Sequence, residues 1–292
     1  MIENKNWSSR LFNAANQTLL ILISLITIIP FIHVLAVSFS DENAIIDRKF
    51  VLFPVDFSLD AFRYIFSTDT VFTSLINTIL ITVVGTFVNI LLTSLMAYPL
   101  ARKDLPLRST ILFLVTFTML FGGGIVPTFL IVKWLGLLNS YWSLIIPTAI
   151  SAFNLIVLKN FFQQLPESLE ESAKIDGCHD YGILFRIVIP LSMPALTTFS
   201  LFYAVAHWNS FFQAILYVND SSKWPIQVLL RQIVLLSQGG IGDSVATTNV
   251  MYTLPDTVKT AVIVVATVPI LCVYPFLQKH FAKGVMLGSV KG

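Results

Sequence analysis

Charged side chains are scarce in this sequence. Of its 292 residues only 12% are Asp, Glu, Lys or Arg, 55% are apolar, and the mean hydropathy is +0.80. A soluble domain carries about 25% charged residues, so this chain cannot cover a globular surface with charge. The net charge of +2 gives no broad surface for a polyanion. The composition excludes a cytosolic enzyme, a disordered chain and a nucleic-acid-binding protein, and it indicates a polytopic membrane protein.

Residues and motifs for catalysis or metal binding are also missing. The two cysteines, Cys178 and Cys272, are too few for a disulfide framework or a four-ligand zinc site. The sequence contains no G-x-x-x-x-G-K-[ST] phosphate loop, no H-E-x-x-H and no G-x-S-x-G. Its four histidines lie far apart in the sequence. We therefore expect neither a catalytic site nor a metal site on this chain.

Long stretches without any charge are the main feature that is present. A helix needs about 20 mostly apolar residues to cross the hydrocarbon layer, and each stretch is close to or above that length. They predict an all-α protein with six transmembrane helices, because lipid does not tolerate unpaired backbone groups. The first is longer than the core of a cleaved signal and is expected to be retained. The predicted helices are about 17–39, 71–98, 109–133, 140–160, 195–218 and 258–281.

The basic residues suggest the orientation of the chain. With the N-terminus inside, most of the 18 Lys and Arg residues fall on the cytoplasmic side, as the positive-inside rule requires. An even number of helices places both termini there. We therefore expect a cytoplasmic segment 1–16, a transmembrane domain 17–282 and a cytoplasmic tail 283–292, in a multi-pass protein of the cytoplasmic membrane.

None of the six predicted helices contains Asp or Glu. Carriers driven by an ion gradient usually keep ionisable groups in the membrane, and only His33 and His207 could serve here. This favours an energy source on another subunit. The alternatives are an ion-gradient-driven carrier and a membrane enzyme that handles a lipid-linked substrate.

The longest predicted cytoplasmic loop, residues 165–194, is acidic. Pro166 suits the start of a helix and Asp176-Gly177 its end, while the glutamates between them complement the helix dipole. A second amphipathic stretch follows, with an expected apolar face of Tyr181, Leu184, Phe185 and Val188. A helix on a lipid surface is usually basic. We call residues 165–194 the acidic loop and do not expect it to lie on lipid.

The segment from Leu169 to Pro190 resembles the E-A-A…G…I-x-L-P loop of permeases of ATP-binding-cassette importers. Glu171 and Ala173 match its first and third positions, Gly177 its turn glycine, and Ile187 to Pro190 its closing block. Ser172 and Ile189 depart from the pattern by similar-sized residues. The runs E-S-A-K-I-D-G and R-I-V-I-P-L resemble the carbohydrate-uptake branch, and within it the smaller permease of a heterodimer.

The resemblance extends over most of the chain, through 97–102, 208–212 and 283–292. It implies the type I importer-permease fold and transport by alternating access, with no enzymatic activity on this chain. The implied partners are a second permease, two ATPase subunits that hold ATP and Mg²⁺, an extracytoplasmic solute-binding protein and a sugar, as an oligosaccharide. This chain itself would carry no cofactor.

The resemblance also implies roles for individual residues. The tail would contact the ATPase through Gly288 and Lys291. The loop residues expected to couple the chain to the ATPase are Glu170, Glu171, Ala173, Asp176, Gly177, Ile187 and Pro190. The long loop 219–257 would either touch the solute-binding protein or form a partly ordered lid.

A sugar path needs aromatic faces and hydrogen-bonding groups. The fifth predicted helix supplies both, in Tyr203, His207, Trp208, Asn209 and Phe212. The intramembrane amides Asn77, Asn89 and Asn154 are interpreted instead as contacts between helices. Gly122 to Gly124 predicts either a break in the third helix or a close helix contact.

Overall fold

The computed structural model describes residues 7–48, 50–237 and 255–289. Within these ranges there is no β-strand, only an isolated bridge between Ser40 and Phe57. The all-α prediction is confirmed. The helices are α1 Trp7–Ser38, α2 Glu42–Ile45, α3 Asp60–Ser67, α4 Asp69–Ala101, α5 Arg108–Leu120, α6 Ile125–Trp134, α7 Trp142–Ile145, α8 Ala152–Phe162, α9 Glu167–Ile175, α10 Asp180–Ile183, α11 Ile189–Leu191, α12 Met193–Trp208, α13 Phe212–Tyr217, α14 Ile226–Ser237 and α15 Asp256–Ser289.

Two helices are long and apolar enough to cross a membrane without interruption. They cover Ser9–Ser38 in α1 and Asp69–Ala101 in α4, and they contain the first two predicted spans almost completely. Both helices are long because each contains a continuous stretch of mostly apolar residues between charged ends.

Three further segments pass the same test only as bent pairs of helices. The axis turns by 119° between α5 and α6, by 56° between Trp142–Thr148 and α8, and by 86° between Asp180–Leu191 and α12. Length and composition therefore support between two and five spans in the described ranges. The sixth predicted span falls within α15. The count of six and the cytoplasmic termini remain predictions.

The glycine run in the third predicted span forms a break. Helix α5 ends at Leu120 and α6 begins at Ile125, with Gly124 at a φ of +86°. A Cβ on Gly122 or Gly123 would meet no atom within 4 Å, so these glycines make no close helix contact within the described chain. Three successive residues of poor helix propensity account for the interruption.

The chain folds as two units, one of residues 1–71 and 230–267 and the other of residues 72–229 and 268–292. In the first unit, the imidazole of His33 stacks on Phe50 at 4.8 Å and forms a hydrogen bond with the backbone of Val51. A small core that includes Ala36, Ile45 and Val51 lies next to this contact. His33 therefore has a structural role at the end of α1.

The second unit holds the acidic loop and the main hydrophobic core. One buried cluster joins α4, α5, α8, α9 and α12, and it extends from Ala173 in the loop to Tyr203 in α12. Another cluster packs Ile81 of α4 against residues of α6, α7, α13 and α14. Both candidate sites described next lie in this unit.

Candidate functional site

The first helix of the acidic loop, α9, has the expected ends. Pro166 occupies its N-cap position, and Gly177 follows its C-cap at a φ of +77°. The Gly177 amide donates to the Lys174 carbonyl at 3.0 Å, and the Cys178 amide donates to the Ala173 carbonyl at 2.8 Å. These two bonds form a Schellman motif, which requires a left-handed residue at the position of Gly177. The predicted conformation of Gly177 is confirmed.

Charges attach α9 to the end of α4. The Glu170 carboxylate is buried and ion-paired with Arg102, whose guanidinium also lies 4.6 Å from the ring centre of Tyr98. A second, exposed pair joins Lys103 and Glu167 at 3.1 Å. The buried pair fixes the loop strongly, because removing one buried charge leaves the other without compensation.

Glu171, which matches the first position of the loop signature, has a different environment from Glu170. Its side chain is exposed on the outside of α9. It also lies at the edge of a cavity of about 520 Å³ that is lined by Arg102 and Lys174. Ile175 and Tyr181 are exposed on the same loop, with 86% and 73% of their surfaces accessible. The loop therefore presents a charged and apolar surface that no described part of the chain covers.

The predicted apolar face of the second loop helix is partly wrong. Leu184 and Val188 are buried as predicted, but Tyr181 and Phe185 are exposed and Ile183 is fully buried. Residues Leu184–Val188 form a π-helical turn, which changes the angle between successive side chains. A pattern read with 3.6 residues per turn therefore assigns the wrong residues to the face. Ile187 packs against the core, and Pro190 is exposed in α11.

A second candidate site is a cavity of about 240 Å³ beside α12. Among the described residues, its lining contains no Asp, Glu, Lys or Arg. The side chains come from α4, α7, α8, α12, α13 and the turns between helices. The polar ones are Asn89, Thr148, Ser151, Asn154, Tyr203, His207, Ser210 and Gln213.

Tyr203 holds one wall of this cavity in place. Its hydroxyl lies 2.8 Å from Thr93 Oγ1 and accepts a hydrogen bond from the Ser151 amide at 3.0 Å. Asn89 donates from Nδ2 to the Thr148 carbonyl at 3.2 Å. These bonds connect α4, the start of α8 and α12 around the cavity.

The proposed sugar-path residues are only partly brought together. Tyr203 and His207 line the cavity, whereas Trp208, Asn209 and Phe212 are not among its lining residues. Trp208 is buried, and the Asn209 amide donates to the Val205 carbonyl of its own helix at 2.9 Å. Helix α12 ends at Trp208, whereas the sequence predicts a continuous helix to residue 218, so this part of the prediction is wrong.

Comparison with known proteins gives the family of this chain. Residues 7–287 match the family described as "Binding-protein-dependent transport system inner membrane component". The chain belongs to this family. It is a permease subunit of an ATP-binding-cassette importer, a multi-pass inner membrane component and not an enzyme. Permeases of this kind work with a binding protein and an ATPase.

Relatives from Bacillus subtilis are similar along nearly their whole length. The "Polygalacturonan/rhamnogalacturonan transport system permease protein YtcP" is 60% identical over 97% of this chain and 99% of the relative. "Protein LplC" is 53% identical over 98% and 96%. In the crystal structure of a bacterial transporter involved in the import of the acidic polysaccharide alginate, one chain matches with a TM-score of 0.86 and 32% identity, covering 94% and 98%.

In this permease, a network of hydrogen bonds holds residues 217–226 in place. Asn77 of α4 donates to the carbonyls of Ser222 and Trp224 at 2.8 and 3.3 Å and accepts from the Tyr141 hydroxyl at 2.9 Å. Hydrogen bonds from Ser222 lower the pKa of Asp220 below its usual range. Asn77 thus connects a helix with a loop, close to its predicted role as a contact between helices.

Some predicted features lie partly or wholly outside the described residues. Helix α14 lies in the first part of loop 219–257, but residues 238–254 are not described, so the role of this loop remains a prediction. Gly288 falls in the part of α15 that is described by its backbone alone, and Lys291 is outside the described residues. Their contacts with an ATPase remain predictions.

Sequence reasoning missed the residues that the cavity shares with α4 and α8. The sequence predicts Asn89 and Asn154 only as contacts between helices, and it gives no signal for Ser151 and Gln213. A signal was present in α4, where polar or small residues recur at helical spacing through Thr82, Thr86, Asn89 and Thr93. Such a stripe marks the side of a membrane helix that faces protein or a cavity.

Proposed function

We propose that this permease forms the translocation path of an ATP-driven oligosaccharide importer together with a second, different permease. Two ATPase subunits, with ATP and Mg²⁺, bind the acidic loop and the tail 283–292. A solute-binding protein delivers the sugar on the other side of the membrane. The observation that carries this proposal is the acidic loop, which has a fixed inner face and an uncovered outer face.

The inner face supports a lever mechanism. Ala173, Ile183 and Leu184 belong to the same buried cluster as Leu100 of α4 and Tyr203 of α12. Close-packed interiors transmit displacement instead of absorbing it. A push on the loop by a closing ATPase is therefore expected to move α4 and α12, and to switch the permease between outward-facing and inward-facing states.

The outer face supports binding of the ATPase. Glu171 is exposed and forms no ion pair within the described residues, whereas Glu170 pairs internally with Arg102. Exposed Ile175 and Tyr181 add an apolar surface, a common feature of protein interfaces. We assign the intermolecular contact to Glu171 and the internal attachment to Glu170.

The transported substrate is proposed to be an oligosaccharide derived from an acidic polysaccharide. The names of a close relative and of a solved structure mention polygalacturonan, rhamnogalacturonan and alginate, all of which contain uronic acids. Tyr203 and His207 belong to the sugar path, and Trp208, Asn209 and Phe212 are proposed to continue it. The residues of this path provide aromatic rings and neutral hydrogen-bonding groups.

Reconstitution tests the proposed function. The permease, its second permease, the ATPase and the binding protein are placed in proteoliposomes, and uptake of labelled oligogalacturonides is followed. Uptake is expected to require both ATP and the binding protein, and to continue when a protonophore collapses the proton gradient. Uptake that is independent of ATP and depends on the proton gradient would instead establish an ion-driven carrier.

A further inference from the structure

Three buried polar atoms near the cavity beside α12 have no hydrogen-bond partner within the described part of the chain. They are Asn89 Oδ1, His207 Nε2 and Ser210 Oγ. Asn89 is 1% exposed and His207 is 4% exposed. More than about 90% of buried polar groups in proteins are hydrogen-bonded, so three such atoms around one cavity require an explanation.

The threonines of α4 provide a contrast. Thr82 and Thr86 also have unpaired hydroxyls, but a helical threonine can turn its hydroxyl toward the carbonyl one turn earlier. The amide oxygen of Asn89 has no such local choice, because its Nδ2 is already held by the Thr148 carbonyl. The unpaired oxygen of Asn89 therefore points more strongly to a ligand than the unpaired hydroxyls do.

Gly85 gives a second, independent observation. A Cβ at this position would lie 2.5 Å from Nε2 of His207, closer than any real contact. The imidazole of His207 therefore lies directly against the backbone of α4, in space that only glycine leaves free. Gly85 sets the position of a ring that also lines the cavity.

We propose that this cavity is a binding subsite for a single sugar unit of the transported chain, with Asn89 and His207 bonding to its hydroxyls. Phe202 and Tyr203 supply aromatic rings, and Gln213 supplies a further amide. A volume of about 240 Å³ is below the roughly 300–1,000 Å³ of pockets for drug-sized ligands, which fits one ring and not a whole oligosaccharide.

The lining also indicates which part of an acidic sugar enters. Burying a carboxylate without a cationic partner is costly, and the described residues that line the cavity include no Lys or Arg. The hydroxyl-bearing side of a ring fits this lining, and a uronate carboxylate has to remain outside it. Gly85 acts as a positioning residue through His207. This inference rests on the proposed oligosaccharide transport.

The test uses the complete transporter in proteoliposomes and labelled oligogalacturonides at a series of concentrations. Asn89→Ala is expected to raise the KM for uptake about tenfold, the effect of losing a buried hydrogen bond. Thr82→Val is the matched control, since it removes an unpaired hydroxyl from the same helix away from the cavity. It is expected to leave the KM within about twofold of wild type.

Gly85 and His207 are tested as a pair. Gly85→Ala is expected to displace the imidazole and to raise the KM as much as His207→Ala does. The double variant Gly85→Ala/His207→Ala should be no worse than His207→Ala alone, because the added methyl acts only through the ring. Recovery of wild-type KM in the double variant would show that the ring merely fills space, and would overturn its role in binding.

The failures of the two proposals are distinguishable. If the wild-type complex takes up no oligogalacturonide, the proposed function fails at this substrate class. If the wild type transports but Asn89→Ala has the same KM as Thr82→Val, the subsite is wrong and the function stands.

Assembly of the complex is checked by purification of all subunits. Binding of labelled sugar to the purified Asn89→Gln complex provides a second measurement. Wild-type affinity in that variant would also contradict the subsite, because the longer amide displaces the oxygen.

Discussion

Helix α9 of the acidic loop and the cavity beside α12 belong to the same unit but differ in how their polar groups are satisfied. In the loop, Glu170 and Glu167 have basic partners, and α9 closes with both Schellman hydrogen bonds. In the cavity, Asn89 and His207 keep unpaired atoms. A part that transmits force has to be rigid by itself, whereas a part that binds a transient ligand keeps hydrogen-bonding groups free for it.

Among the substitutions that test this comparison, breaking the buried ion pair between Arg102 and Glu170 is expected to have the largest effect. Arg102→Met leaves the Glu170 carboxylate buried without a partner, which is expected to destabilise the loop by about 3–5 kcal/mol. Replacing both residues, Arg102→Met/Glu170→Met, should recover much of this stability. The measurement is the thermal unfolding midpoint of the purified complex, together with retention of the ATPase.

Lys103→Met is the control for this experiment, because it breaks the exposed pair with Glu167. Exposed pairs contribute about 0.2–1 kcal/mol, so only a small change is expected. If Arg102→Met and Lys103→Met lower the midpoint equally, the buried pair is not the attachment that we describe.

Reversing the charge of Glu171 tests the outer face of the loop. Glu171→Lys is expected to prevent co-purification of the ATPase while the permease remains in the membrane, because a charge contact between subunits becomes a repulsion. Glu167→Lys lies on the same helix and should be tolerated better. The quantity to measure is ATPase bound per permease, and equal binding by the two variants would count against our assignment.

The turn at Gly177 gives a smaller effect. Gly177→Val forces a branched side chain into a left-handed conformation, at a cost of about 1 kcal/mol or more. We expect normal abundance in the membrane but uptake uncoupled from ATP hydrolysis. Gly136 has a φ of +68° outside the loop, so Gly136→Val carries similar backbone strain and should remain coupled. Comparable ratios of uptake to hydrolysis in the two variants would refute a special role for this turn.

Asn209 is expected to show the smallest effect. Its amide already bonds to the Val205 carbonyl, so Asn209→Ala removes a helix-end contact and not an unpaired group of the cavity. Uptake at low oligogalacturonide concentration should fall less than in Asn89→Ala, at matched abundance of the complex. A larger loss of uptake in Asn209→Ala than in Asn89→Ala would indicate that the sugar path lies nearer the end of α12.

The sequence alone was sufficient for the class of protein, the places of the two uninterrupted membrane helices and the ends of α9. These features depend on local properties. Charge-free stretches of span length, proline at a helix start and glycine at a helix end act through residues that are close in sequence. The E-A-A-type loop could be recognised for the same reason, since its residues are contiguous.

Only the tertiary structure distinguished Glu170 from Glu171, because a buried partner from another helix, Arg102, decides which glutamate turns inward. It also decided that Gly122 to Gly124 form a break and not a close helix contact, and it revealed the end of α12 at Trp208 and the π-helical turn that changes the buried face of the loop. The cavity beside α12 is likewise visible only in the tertiary structure. Asn89, Ser151 and His207 are distant in sequence, and only the packing of α4, α8 and α12 brings them to one place.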